Sequence, residues 1–215
     1  MINDLYIYEH MLQLEGYRGI AGTDEVGRGP MAGPLVACAV ILPFQYHLEG
    51  LNDSKKLTPK KREDLYKQLI DEVIEYQIEF ISVEDVDRLN VYQASKLAML
   101  RCISKFKHSI DVVLSDAMPL EGPFRCIDLI KGDQKSASIA AASIIAKVTR
   151  DHYMEEMDVR YPEYGFKKHK GYVTKYHQKK LKEYGPCPIH RLSFQPVRDV
   201  IEKDEESLCF KNQLK

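Results

Sequence analysis

An apolar run of eight residues, Leu35 to Leu42, lies between two prolines, Pro34 and Pro43. Because a membrane-spanning helix needs about 20 apolar residues, this run is too short to cross a bilayer. Its length and its boundaries favour a short β-strand instead. The chain has 215 residues, and a globular chain of this size buries about 70% of its unfolded surface. The sequence therefore predicts a strand inside a sizeable core.

The composition is typical of a globular protein, with 44% hydrophobic and 29% charged residues and no low-complexity tract. Residues 1–10 include Asp4 and Glu9 and have no uninterrupted apolar stretch, so we expect no signal peptide. The cysteines are Cys38, Cys102, Cys126, Cys187 and Cys209. They form an odd set without a C-x-x-C pair, which favours reduced thiols over disulfides or a zinc site. We expect a cytoplasmic protein.

The chain shows neither an internal repeat nor a Gly/Ser-rich linker. We therefore expect an N-terminal segment over 1–16, a single domain over 17–198 and a polar tail over 199–215. The net charge of −1 says nothing about partners, but its distribution does. Residues 165–182 hold seven lysines and two histidines and no acidic residue, which predicts a local cationic surface.

The order of the predicted elements defines a fold class. Strands are predicted at 18–23, 35–42 and 77–83, with a helix at 59–74 that begins at Thr58-Pro59. A helix at 92–106, strands at 111–116 and 125–130, and helices at 136–157 and 173–184 follow. An antiparallel three-stranded start followed by alternating helices and strands predicts a mixed α/β sheet flanked by helices, with a C-terminal helical region. The helix at 136–157 is built on small residues, which let a helix lie close to its sheet.

Four carboxylates are difficult to explain as solvated surface residues. Asp24 and Glu25 end the first predicted strand, Asp116 ends the 111–116 strand, and Asp133 precedes the alanine-rich helix. Ligand sites form at strand ends in α/β sheets. If the strands are neighbours, these carboxylates converge and need cations, and hard oxygen ligands select magnesium or manganese. The sequence therefore predicts a metal site.

Each carboxylate also has a structural interpretation. Asp133 could cap the following helix, and Asp116 could open a turn. Adjacent Asp24 and Glu25 point to opposite sides of a regular strand, so both reach one site only if the chain bends there. The glycines that follow make such a bend plausible, and the four residues together favour the metal site.

The segment Gly27-Arg28-Gly29 follows the acidic pair directly. Glycines let the backbone approach a ligand closely, so exposed N–H groups there could hold a phosphate or a sugar hydroxyl; the alternative is a tight loop between strands.

A second group of basic residues consists of Lys55, Lys56, Lys60, Lys61 and Arg62. Either a nucleic-acid backbone or a solvated face explains this cluster. The rings of Phe166, Tyr172 and Tyr176 interleave the later lysines and suit sugar or base contacts, although core packing is the alternative for each.

Five segments resemble one known family, ribonuclease HII, in order along residues 17–197. They are Gly22-Thr-Asp24-Glu25-Val-Gly27-Arg28-Gly29-Pro-Met-Ala-Gly33-Pro34, Asp53-Ser54-Lys55-Lys56-Leu57, Gly132-Asp133, Ile139 to Asp151, and His169-Lys-Gly-Tyr172. The sister family, ribonuclease HIII, typically has lysine in place of Arg28, which favours HII.

The resemblance implies a ribonuclease H-like fold and an endonuclease, active as a monomer, that hydrolyses RNA joined to DNA within a duplex and cuts 5′ of single embedded ribonucleotides. It makes Asp24, Glu25, Asp116 and Asp133 the catalytic ligands of Mn²⁺ or Mg²⁺, with two ions expected when substrate is bound. Gly27, Arg28 and Gly29 would sense the 2′-hydroxyl, and Tyr172 would stack on the next sugar. We expect the further substrate contacts at Lys55, Lys56, Lys147, Lys179 and Lys180. The sequence departs from the family at Ala117 and Val173, where glycine is more frequent.

Two other functions are open from the residues alone. A non-catalytic nucleic-acid-binding module would use the basic clusters and keep the carboxylates for capping. Another metal-dependent nuclease of the same fold would cut without regard to the 2′-hydroxyl.

Overall fold

The computed structural model describes residues 5–203. Its centre is a single sheet whose five strands are β1 (Ile20–Val26), β2 (Leu35–Ile41), β3 (Glu75–Ile81), β4 (Val112–Asp116) and β5 (Arg125–Leu129). The strand order is β3-β2-β1-β4-β5. The first three strands pair antiparallel, whereas β4 pairs parallel to β1 and β5 pairs parallel to β4. The predicted mixed sheet with an antiparallel start is confirmed.

Helices cover both faces of this sheet. They are α1 (Ile7–Leu14), α2 (Pro59–Glu72), α3 (Val83–Leu89), α4 (Val91–Ser104), α5 (Ala137–Arg160), α6 (Phe166–His169) and α7 (Lys175–Tyr184). Cys38 and Val40 of β2 pack with α2 and α5, while Ala37 and Ala39 pack with α3 and α4 on the opposite face. Every residue of β2 is buried, which explains why this strand is an uninterrupted apolar run.

The boundary between β3 and the next element differs from the prediction of a strand at 77–83. The strand ends at Ile81, because the Ser82 side chain accepts a hydrogen bond from the Asp85 N–H and begins α3. The Thr58 hydroxyl caps α2 in the same way, with Pro59 in the first turn, as predicted.

Helix α5 lies very close to β1. A Cβ atom on Gly22 would stand 2.2 Å from the backbone carbon of Ser138, so only glycine fits at this position. The small residues of α5 are fully buried at this contact, as their size predicts: Ala137, Ala140, Ala141, Ala142 and Ala146. This approach brings the N-terminal part of α5 to the ends of β1 and β4.

Both ends of the described chain pack on this framework. Leu12 of α1 packs with Ile20, and the Glu9 carboxylate accepts hydrogen bonds from the Ser136 hydroxyl at 2.6 Å and the Ser138 N–H at 2.8 Å. Residues 195–203 are helical, and Val200 is buried there. The boundaries expected at 17 and 199 therefore fall within packed structure, while residues 1–4 and 204–215 lie outside the described residues. Within 5–203, no helix is both long enough and apolar enough to cross a membrane.

Candidate active site

Two carboxylates meet because β1 and β4 are parallel neighbours. The register pairs Thr23 with Ser115, so the next residues along each strand, Asp24 and Asp116, come to lie side by side. The Asp24 side chain is buried, accepts a 2.7 Å hydrogen bond from the Glu25 N–H and receives another from the Ser143 hydroxyl. Burial, together with the charges of Glu25 and Asp116, raises the pKa of Asp24 well above its ordinary value.

The chain does not bend at Glu25 as the sequence suggested. Strand β1 stays paired with β2 through Val26, so the side chains of Asp24 and Glu25 point to opposite faces of the sheet. Both carboxylates are nevertheless near enough to Asp116 for its charge to act on them. Burial raises the pKa of Glu25, and the charge of Asp116 adds to this rise although Arg28 opposes it. Its Oε1 accepts from the Arg28 guanidinium at 3.3 Å, whereas Oε2 is buried and has no hydrogen-bond partner among residues 5–203. Asp116 is therefore close enough to interact with both residues.

Asp116 is held by a backbone N–H from the turn that precedes α5. Its Oδ1 accepts a hydrogen bond from the Gly132 N–H at 2.7 Å. The next residue, Ala117, has a φ of 47°, a left-handed conformation that glycine adopts more readily than alanine. Asp116 thus binds the backbone of the segment that carries Asp133.

Asp133 does not cap α5, because Ser136 takes that role by accepting from the Ile139 N–H at 3.2 Å. Asp133 lies instead in a single 3₁₀ turn, Gly132–Gln134, and is 3% exposed. Burial, followed by the charges of Asp53 and Asp116, raises its pKa to about 6. The structure therefore brings all four predicted carboxylates to one edge of the sheet.

Asp53 is a fifth carboxylate at this edge that the sequence reasoning did not assign to the site. It is 4% exposed, its Oδ1 accepts from the Lys55 N–H at 2.8 Å, and its Oδ2 accepts from the Gln134 amide at 3.3 Å. The resemblance included this residue in a matched segment, but an aspartate in a polar loop carries no signal of burial.

Lys55 supplies positive charge to the carboxylates. Its Nζ lies 3.7 Å from an Asp133 carboxylate oxygen, and its side chain is otherwise exposed. Although burial works against the charged form, Asp133, Asp24, Asp53 and Asp116 together raise the pKa of Lys55. Because a lysine side chain is long and flexible, Lys55 offsets the negative charge of the carboxylates while leaving them accessible.

The cluster suits a divalent metal in its chemistry. Its donors are carboxylate oxygens, which Mg²⁺ and Mn²⁺ prefer, and the buried Glu25 Oε2 finds no hydrogen-bond donor in the described part of the chain. Among the described residues, no three Asp, Glu, His or Cys side chains are already grouped tightly enough to hold one ion. The residues therefore fit hard cations by the type of their donor atoms rather than by a ligand set that is already assembled.

The predicted nucleotide-sensing residues lie together beside the carboxylates. A Cβ atom on Gly29 would stand 3.6 Å from Cε1 of Tyr172, so the ring lies against the Gly27-Arg28-Gly29 segment. Tyr172 is 42% exposed, and Gly29 is exposed as well. A backbone segment and an aromatic face are thus both accessible from solvent, and Arg28 links this segment to the carboxylates through Glu25.

The basic residues divide into two groups. Arg62 is internal: it donates to the Ser54 carbonyl at 2.9 Å and the Leu57 carbonyl at 3.0 Å, which explains its place early in α2 without nucleic acid. Lys147 is largely buried against Asp151 at 2.6 Å, and burial lowers its pKa. These contacts give the two cations structural partners.

The remaining lysines lie at the surface. Lys56, Lys60, Lys61 and Lys179 are exposed. Lys180 pairs with Glu183 at 2.9 Å and lies 5.0 Å from the centre of the Tyr184 ring. Of the two α7 lysines expected to bind substrate, Lys179 is therefore the more accessible.

Comparison with known proteins agrees with this geometry. A family model described as Ribonuclease HII matches residues 21–197. The chain is 50% identical to ribonuclease HII of Enterococcus faecalis over 201 residues, covering 94% of this chain and 79% of that protein. It is 48% identical to ribonuclease HII of Geobacillus kaustophilus over 203 residues, covering 94% and 78%.

Solved structures share the fold. The crystal structure of ribonuclease H2 from Pyrococcus horikoshii has a TM-score of 0.74 at 28% identity, covering 86% of this chain and 97% of that one. A crystal structure of Bst-RNase HIII in complex with Mn²⁺ has a TM-score of 0.65 at 15% identity, covering 85% of this chain and 69% of that one. The second likeness shows the fold alone.

Proposed function

Since the chain belongs to the ribonuclease HII family and is a ribonuclease H enzyme, we propose that it cuts duplex DNA on the 5′ side of an embedded ribonucleotide as well as RNA in RNA/DNA hybrids. One observation carries this proposal. Asp24 and Asp116 lie side by side on parallel strands, and the neighbouring Glu25 binds Arg28 at 3.3 Å in the segment whose Gly29 lies against the Tyr172 ring. This arrangement supports a metal-binding group that adjoins a sugar-binding surface.

Asp24, Glu25, Asp116 and Asp133 would hold the divalent ions, Mn²⁺ or Mg²⁺, with two expected when substrate is bound. When bound by these residues, the ions would supply Lewis-acid chemistry for a water and for the scissile phosphate, and hydrolysis would leave a 3′-hydroxyl and a 5′-phosphate. The Gly132 N–H and the Ser143 hydroxyl keep Asp116 and Asp24 oriented for this role. Lys55 would turn from Asp133 toward the substrate phosphates once cations replace its charge, and Lys56 lies next to it.

The 2′-hydroxyl is the chemical mark that separates ribose from deoxyribose. We assign its recognition to Gly27, Arg28 and Gly29, and stacking on the following sugar to Tyr172. The glycines leave space for the sugar, and the exposed face of Tyr172 offers a flat apolar surface. Lys179, and to a lesser degree Lys147 and Lys180, would contact the phosphate backbone.

We further propose that the enzyme is a monomeric single domain of the cytoplasm. The packing of α1 on the sheet, and of Val197 and Val200 against Met31 and against Leu181 of α7, supports a single domain that includes both segments. The free thiols of Cys38, Cys102, Cys126 and Cys187 support a reducing compartment.

The test is cleavage of a labelled DNA duplex that carries one ribonucleotide, beside the same duplex made only of DNA. We expect a single nick 5′ of the ribonucleotide with Mg²⁺ or Mn²⁺ and none with chelator or on the all-DNA duplex. Binding without a nick under any metal would favour a nucleic-acid-binding module. Equal cutting of both duplexes would favour a nuclease that ignores the 2′-hydroxyl.

A further inference from the structure

Two arginines are buried in the wall behind the Gly27–Pro34 loop. Arg150 of α5 and Arg191 are both 0% exposed. Neither guanidinium forms an ion pair with a carboxylate within residues 5–203, and both donate to backbone carbonyls only. Burying a charge without a counter-ion is costly. We therefore expect each arginine to have a specific role in holding the backbone carbonyls that it contacts.

Arg191 fixes the orientation of one peptide unit in this loop. Its Nε and Nη2 donate to the Gly33 carbonyl at 3.0 and 2.8 Å, and its Nη1 donates to the Arg28 carbonyl at 3.3 Å. The described chain has no cis peptide bond, and the C=O and N–H of a trans peptide point in opposite directions. Because the Arg28 carbonyl points inward to Arg191, the N–H of Gly29 points outward.

The outward N–H of Gly29 is available to a ligand. Gly29 is exposed, and no hydrogen bond among residues 5–203 uses its N–H as the donor. The ring of Tyr172 lies directly beside it. An unpaired backbone donor next to an aromatic face is suited to a sugar hydroxyl oxygen with the sugar ring alongside.

Arg150 ties the rest of the loop to the segment that carries Tyr172. It donates to the carbonyls of Ala32 at 3.0 Å, Pro34 at 2.9 Å and Lys170 at 2.8 Å. Gly27, with a φ of +100°, makes room for it, because a Cβ there would stand 2.6 Å from the Arg150 Nε. The loop and the tyrosine are therefore held as one rigid unit.

We propose that Arg191 is a positioning residue for ribonucleotide recognition: by holding the Arg28 carbonyl it aims the Gly29 N–H at the 2′-hydroxyl oxygen. This inference rests on the proposed function. Lysine cannot replace Arg191, because a single ammonium group cannot span the Arg28 and Gly33 carbonyls in the planar geometry of a guanidinium.

The experiment measures the affinity of Arg191→Lys for two duplexes, one with a single ribonucleotide and one all-DNA, with Ca²⁺ as the divalent ion and a gel to verify that neither duplex is cut. We expect the affinity for the ribonucleotide duplex to fall about tenfold, the effect of one lost hydrogen bond, while all-DNA affinity changes less than about twofold. Arg62→Lys is the matched control, because Arg62 also holds two carbonyls but lies outside this loop. It should leave the ratio of the two affinities unchanged.

An unchanged ratio in folded Arg191→Lys, with both affinities lowered equally, would overturn the proposal and leave Arg191 a purely structural residue. If the variant does not fold, amide NMR of the wild type decides. The Gly29 N–H resonance should then shift more with the ribonucleotide duplex than with all-DNA, and equal shifts would overturn the proposal. A wild type that fails to nick or to distinguish the duplexes would instead refute the proposed function and this inference with it.

Discussion

At the residue scale, each carboxylate of the cluster is held by a different partner. Asp116 accepts from the Gly132 N–H, Asp24 from the Glu25 N–H, and Asp53 from the Lys55 N–H. These contacts orient the three carboxylates and leave their charges to be balanced by Lys55 or by cations. Burial, followed by the charges of Asp53 and Asp116, raises the pKa of Asp133 to about 6.

The role of Asp53 can be tested through Asp133. After burial, the Asp53 charge is the largest contribution to the raised pKa of Asp133. Removing it with Asp53→Asn should therefore lower the pKa of Asp133 below about 6, measured by carboxyl NMR of the metal-free protein. Asp64→Asn, an exposed change in α2, should leave that pKa unaltered. An Asp133 pKa that stays near 6 in Asp53→Asn would show that burial alone accounts for it.

The sequence predicted the site residues that follow apolar strands better than those that are buried by contacts distant in the chain. Asp24 and Asp116 follow apolar strands, so their place at a sheet edge could be read directly. Asp53 and Arg191 stand in polar loops, and segments distant in the chain bury them. Arg191, for example, contacts Gly33, which lies 158 positions earlier. A single sequence carries no local pattern for such contacts.

At the element scale, the close approach of α5 to β1 determines where the site forms. The prediction is that Gly22→Ala destabilises the protein by about 3 kcal/mol, because its Cβ would overlap the backbone of Ser138 and push the helix away. Urea unfolding measures this change. Gly122→Ala is the control, since its Cβ would meet only the ring of Phe124, a side chain that can rotate. Equal stability of wild type and Gly22→Ala would contradict the packing described here.

Within residues 5–203, three short helices were not predicted from the sequence, and neither were the helical residues 195–203. Helices α1, α3 and α6 have eight, seven and four residues, too short for an apolar period to emerge. Helix α1 is stabilised instead by its packing, with the Glu9 carboxylate bound to Ser136 and Ser138. The long elements were predicted to within a few residues because their apolar patterns are long and strong.

Three histidines pack between α6, α7 and the following loop. His169 stacks on His177 with ring centres 4.2 Å apart, and the Nε2 atoms of His177 and His190 are 3.1 Å apart. Burial lowers the pKa of His177 to about 3 and that of His190 to about 4. The folded protein therefore keeps these rings neutral, whereas in the unfolded chain they titrate near their ordinary value of about 6.5.

The sign of the pH effect follows from these pKa values. Below about pH 6.5 the unfolded chain binds protons that the folded protein excludes, so the free energy of unfolding falls as the pH falls toward 4. His190→Asn, which cannot titrate, should lose about 2 kcal/mol less than wild type between pH 7 and 4.5, measured by urea unfolding. His47→Gln, at an exposed position, should follow the wild-type profile. The same loss in His190→Asn and wild type would contradict this account.

At the scale of the whole molecule, a net charge of −1 hides an uneven distribution. The lysine-rich residues 165–182 include Tyr172 itself, while Lys105 pairs with Glu79 on β3, an edge strand of the sheet. Lys179→Ala should weaken binding to any duplex and reduce the slope of log affinity against log salt by about 1. Lys105→Ala should change neither quantity. An unaltered slope in Lys179→Ala would mean that α7 faces solvent in the complex.

The account's central claim is that the carboxylates at the ends of β1 and β4 perform metal-dependent cleavage rather than shape the fold or bind nucleic acid. The most direct measurement compares wild type with Asp116→Asn on a duplex that carries one ribonucleotide, recording nicking with Mg²⁺ and affinity on the same sample. Asparagine keeps the oxygen that accepts from the Gly132 N–H but removes the charge. We predict that nicking falls at least about a thousandfold while affinity and unfolding temperature stay close to wild type. Turnover at the wild-type rate in Asp116→Asn would contradict the claim.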